Sequence, residues 1–224
     1  MKAIQIILFV IYYFNTNAQS QNISYTENLK SIDNERIRIH NSYLKADTLT
    51  KDSIILRTQE YLINKLENEI LPAWYGTKWS YEGMTRVPNS GSISCGYFIT
   101  NVLSDLGFRI PRIKWAQSAS EVFIIALTND NVKRYRNKPV SEIESFVKTN
   151  GEGIYLIGLD IHVGFLVYSN NKINFIHSNY TWSNRKVLSQ DLNSESPIKY
   201  SSYSIVGKLF SKKMIENWIL GIEY

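Results

Sequence analysis

Between Gly153 and Tyr180 the chain carries three short aromatic and β-branched segments, GIYLIGL, IHVGFLVY and KINFIHSNY, separated by one aspartate and by Ser-Asn-Asn. Segments of that length and composition, joined by turns that short, read as consecutive antiparallel strands. A further strand, YSIVGKLF, follows, and KKMIENWILG reads as a closing helix. Upstream the period is helical. Ile55, Leu56, Tyr61, Leu62, Leu66 and Ile70 recur three to five residues apart in a helix over 52–71, stopped by Pro72. A second helix begins near Cys95, with Phe98, Ile99, Val102, Leu103 and Leu106 on one face and Gly107 placed to close it. Ser118-x-x-Glu121 and Ser141-x-x-Glu144 have the form of capping boxes for two more helices. Helices first and an antiparallel sheet after them make the class α+β.

The N-terminal residues divide the chain further. Lys2 precedes an apolar run from Ala3 to Phe14, broken only by Gln5, and small or polar residues end at Ala18. Twelve residues fall short of the roughly 20 that span a bilayer, so residues 1–18 read as a secretory signal peptide. The expected destination is the periplasm or the exterior, with no membrane insertion once the signal is removed. Residues 19–50 are polar with few apolar residues at any period, which reads as an arm or linker, with His40 on its surface. Residues 51–224 remain for one domain. The segment PAWYGTKWSYEGMTRVPNSGS has no period and reads as a long ordered loop.

Composition narrows the function. Lysine and arginine outnumber aspartate and glutamate by 25 to 20, a mild excess that suits an anionic partner or simple solubility. No basic stripe with interleaved aromatics, no glycine-rich phosphate loop and no paired Cys/His spacing is present, which argues against nucleic acid, nucleotide and structural zinc.

The chain has one cysteine, Cys95, in the stretch GSISCGYFITNVLSDLG. In an oxidising compartment a lone thiol is buried and inert, paired between molecules, or kept for its reactivity. Its position at a helix start favours the thiolate and supplies N–H groups for an oxyanion, and the small residues Ser92, Ser94 and Gly96 leave space around it. Two of the three histidines, His162 and His177, fall on adjacent strands. If the hairpin turns about Asn170-Asn171, facing residues sum to 341. His162 then faces Asn179, His177 faces Gly164, and His162, His177 and Asn179 share a face. A thiol, an imidazole and a third polar group that orients the imidazole are the parts of a cysteine nucleophile site.

The order of an aromatic-glycine loop, a cysteine-headed helix, and strands bearing HVGF and FIH resembles the NlpC-type cell-wall peptidases, a permuted branch of the papain-like cysteine peptidases. The resemblance covers residues 74–180 and is closest over GIYLIGLDIHVGFLVYSNNKINFIH. It departs at Ser94-Cys95-Gly96-Tyr97, where the family has Asp-Cys-Ser-Gly, and at WYGTKWSYEG, a loose echo of Tyr-x-x-Gly-Gly. It implies a papain-like fold, helices packed on an antiparallel sheet, with Cys95 as nucleophile, His162 as base and His177 as orienting residue. Asn179 is the alternative for that last role. Tyr75, Trp79 or Tyr81 would line the site beside Gly96, and Gln117 is a candidate second oxyanion donor. The implied reaction is hydrolysis of amides in peptidoglycan stem peptides, without a metal or organic cofactor. Other acyl chemistry on the same fold (an amidase, an acyltransferase or an antibacterial toxin) and a secreted binding module without catalysis are the alternatives.

Overall fold

The computed structural model describes residues 25–181 and 184–224, so the signal-peptide reading of residues 1–18 lies outside the described residues. Helix α1 occupies 25–45. Helix α2, Thr48–Lys65, is capped by Asp47, whose Oδ1 accepts the Thr50 N–H at 2.8 Å. It runs on through a π-helical turn, Leu66–Ile70, into the short α3, Leu71–Trp74. Pro72 takes the N1/N2 position of α3, the first turn of that short helix, where a missing N–H costs least, so it does not stop the helix.

After a loop come α4 (Cys95–Asp105), α5 (Arg112–Ala116), α6 (Ser120–Thr128), β1 (Val132–Arg136) and α7 (Val140–Thr149). The remainder is β2 (Gly153–Leu159), β3 (Val163–Ser169), β4 (Lys172–Ser178), β5 (Val187–Asp191), α8 (Pro197–Tyr200), β6 (Tyr203–Lys208) and α9 (Lys212–Leu220). The six strands form one antiparallel sheet in the order β1-β6-β2-β3-β4-β5. The fold is therefore α+β, with helices packed on an antiparallel sheet.

Both faces of the sheet are covered. Ile154, Leu156, Phe165 and Ile205 point into the core shared with α2, α4, α6 and α9, while Tyr155, Ile157, Leu166 and Phe175 point toward α7 and α8. All seven residues of β2 are buried, so the segment reads as continuously apolar instead of alternating. On the first face Phe98 of α4 meets Phe165 edge-on at 6.0 Å and Trp74 at 6.1 Å, which locks the cysteine-bearing helix to the sheet.

Three expectations need correction. Residues 25–45 are no arm: Tyr25, Ile32, Ile39 and Tyr43 are buried in the main core. They recur at intervals of seven, seven and four, a narrow helical stripe that polar neighbours conceal. His40 is half-buried, its Nδ1 3.0 Å from the Ile219 carbonyl oxygen. The capping boxes do not form either. The caps are Ala119 and Pro139, neither with a side-chain bond, and Ser118 Oγ instead donates to the Trp115 carbonyl at 2.9 Å. Finally, β1 and β5 were not foreseen; they are the sheet's edges, where VKRYR and VLSQD expose polar side chains.

Candidate active site

Cys95 is the first residue of α4, following the extended Ser94. The Ser94 N–H donates to the Gly83 carbonyl at 2.8 Å and its carbonyl accepts the Phe98 N–H at 2.9 Å, so the aromatic loop fixes where the helix starts. No side chain caps that end. The N–H groups of Gly96, Val163 and Cys95 itself approach the sulfur and favour the thiolate, but burial outweighs them and pushes the thiol above its ordinary value. The helix start thus does not yield the activated resting thiolate that its position suggested.

Gly96 has a packing reason. A Cβ there would drive into the carbonyl oxygen of Ala116 at the end of α5, so only glycine lets the two helices approach. Gly96 also lines the cavity that Cys95 lines, so the close approach of the two helices leaves open space beside the thiol.

His162 directly precedes β3 and His177 lies on β4. The β3-β4 hairpin pairs Phe165 with Ile176 and Ser169 with Lys172, the expected register, across a turn with Asn170 and Asn171 both left-handed at φ 50° and 60°. This register brings Nε2 of His162 to 2.8 Å from Nδ1 of His177, with the rings at 80°. Phe175 stacks on His177 at 4.0 Å and meets His162 edge-on at 6.1 Å. Gly164 makes that stack possible: a Cβ would come within 3.0 Å of His177 Cβ and closer still to the Phe175 ring.

Both imidazoles are buried, and burial holds both neutral. His162 is pushed well below its usual value by desolvation and then by His177; His177 is lowered to about 4 by desolvation, with Gln190 pulling slightly the other way. Nδ1 of His162 has no hydrogen-bond partner. It is not bonded to the thiol, yet Cys95 and His162 line the same cavity of about 540 Å³. The Val163 N–H at the sulfur links the two segments directly.

The other sequence-derived residues fall variously. Asn179 is buried but serves its own loop, Nδ2 donating to the Asn184 carbonyl at 3.0 Å and Oδ1 accepting the Thr181 N–H at 3.1 Å. Gln117 Nε2 donates to Tyr97 Oη at 3.1 Å and is not among the cavity's lining residues. Tyr81 is 84% exposed, and Tyr75 packs half-buried against the core. Trp79 lies beside Tyr180 at 6.2 Å, with the Arg185 guanidinium 5.1 Å over its ring.

Tyr180 was missed by sequence reasoning. Its ring meets His162 at 5.1 Å, and a charge on Cys95 adds to burial in raising its hydroxyl pKa. The cavity also takes Glu121 from α6, Arg136 from β1, Asp160 from the β2-β3 turn and Tyr203 from β6. No motif links such separated positions, so only the fold assembles them.

No family model and no curated protein matches the chain. Among solved structures, an N-acetylmuramoyl-L-alanine amidase from Bacteroides uniformis is similar at 9% identity, over 68% of this chain and 99% of that chain, with a TM-score of 0.36. A likeness this distant says nothing about the chemistry of this chain.

Proposed function

We propose that the protein is an exported cysteine hydrolase that cleaves amide bonds in cell-wall peptides, with Cys95 as nucleophile, His162 as base and His177 as orienting residue. One observation carries this reading: His162 is held by His177 through Nε2, its buried Nδ1 has no partner, and His162 and Cys95 line the same cavity. The substrate class comes from the resemblance of the HVGF and FIH segments to the NlpC-type peptidases, and export from the character of residues 1–18.

With a raised thiol and neutral imidazoles, the resting pair is uncharged. In the tautomer that leaves Nδ1 of His162 free, its Nε2–H donates to Nδ1 of His177. As the sulfur attacks the carbonyl carbon, Nδ1 takes the thiol proton, so the base acts during attack instead of storing a thiolate beforehand. The tetrahedral oxyanion would accept from the Cys95 N–H at the helix start. His162 returns its proton to the departing amine, leaving a thioester that water hydrolyses with His162 again as base. The sequence of steps needs no metal.

The test is product analysis. Incubation with peptidoglycan fragments should release a new amine and a new carboxylate, and Cys95→Ala should abolish release. Transfer of the acyl group to an added amine would mark a transferase, and no turnover of any amide by the parent protein would sink the hydrolase.

A further inference from the structure

The cavity extends past Cys95 and His162 along a row of strand ends. Arg136 on β1 pairs with Tyr203 on β6, and Asp160, one residue past the Leu159–Ser204 pair of β2 and β6, continues the row toward His162. From β1 to β3 there are three strand spacings, about 14 Å, of which an arginine side chain spans nearly half.

Three of the residues lining this cavity are charged, and they differ in what they have left to offer. Glu121 is engaged at both oxygens, accepting from Arg134 Nε at 2.7 Å and from Tyr203 Oη at 2.7 Å. Asp160 Oδ2 accepts the Ser202 N–H at 2.6 Å and the Ser201 hydroxyl at 3.0 Å. Arg136 is exposed, with its guanidinium carbon 4.9 Å over the Tyr203 ring, and its charge is felt by the Glu121 carboxylate, which other donors already hold. No described side chain forms a salt bridge with it. The ring steadies the guanidinium, whose fork of donors matches a carboxylate.

We infer that Arg136 is a specificity residue that binds a carboxylate of the substrate, so that amides with a free carboxylate within about three residues of the scissile bond are preferred. This rests on the hydrolase reading for the position of the scissile bond, but the subsite itself is open to a binding experiment. The Cys95→Ala protein is titrated with L-alanyl-γ-D-glutamyl-L-lysine and with its two forms in which one carboxylate is amidated. Amidation of one carboxylate should weaken binding about tenfold, as expected for a charge-assisted pair. Adding Arg136→Gln should erase that difference, and Arg136→Lys should restore part of it. Equal affinity for all three peptides, no binding of any of them, or a preference that survives Arg136→Gln would overturn the inference. A carboxylate preference without any turnover by the parent protein would instead remove the hydrolase and keep the subsite.

Discussion

Nδ1 of His177 stands 2.8 Å from Nε2 of His162, and the Phe175 ring closes over His177 at 4.0 Å. A histidine pair enclosed this way can share one proton between the two rings but resists taking up another. The folded protein therefore binds fewer protons than the unfolded chain once the pH drops below the usual histidine value.

The sign follows from that difference. His177 titrates near 6.5 unfolded and about 4 folded, so its contribution is complete above about pH 6.5 and is lost as the pH falls through 4. Burial lowers His162 as well, so both members of the pair lose stability in the same direction. Urea denaturation at pH 7.5, 6, 5 and 4 should show stability falling across that window, and His177→Gln should flatten the curve. A stability independent of pH over this range would contradict a neutral buried pair.

Alkylation of the lone cysteine tests the resting state of the thiol. Burial places Cys95 above the ordinary value, so its reaction with iodoacetamide should rise with a midpoint above about 8.5. Since His162 is uncharged, His162→Ala should leave that midpoint in place while abolishing turnover of substrate. A midpoint well below 8.5 that climbs on loss of His162 would mean a preformed ion pair and a different first step.

Gly164→Ala probes the stack that steadies the pair. The added methyl must displace the Phe175 ring or the His177 side chain, and overpacking of this kind costs about 1–3 kcal/mol. Thermal unfolding should drop accordingly, with kcat falling more than KM rises because the orienting imidazole moves. A fully active variant of unchanged stability would show that the ring has room to shift.

The hairpin was legible because it is local. Two asparagines adopt the left-handed turn and the strand period of two then fixes which residues meet, so His162 and His177 could be paired from sequence. The cysteine helix was legible from Phe98, Val102 and Leu106, and Gly107 does close it at φ 91°. What was not legible depends on distant contacts. Nothing near Gly96 in sequence announces the Ala116 carbonyl, and Arg136, Tyr203 and Asp160 become neighbours only when β6 inserts between β1 and β2. The balance of burial against helix-end N–H groups at Cys95 is likewise set by the packing around it.

Helix α1 offers the last test, because it separates a structural element from a tether. Tyr25 Oη donates to Asp105 Oδ2 at 2.7 Å and accepts from Trp74 Nε1 at 3.0 Å, while Arg86 holds the other Asp105 oxygen at 2.7 Å. The aspartate sits at the end of α4, and Arg86 comes from the aromatic loop and also donates to Asn101 at 2.9 Å. One phenol thus joins α1 to the helix that carries Cys95. Tyr25→Phe keeps the ring but leaves a buried carboxylate oxygen and an indole N–H without their partner, which costs about 1–3 kcal/mol. Urea denaturation of the variant should show that loss as a lower midpoint with an unchanged slope, as expected if α1 unfolds with the rest of the domain. A change within about 0.5 kcal/mol would be that of a surface substitution, and α1 would then be a detachable segment.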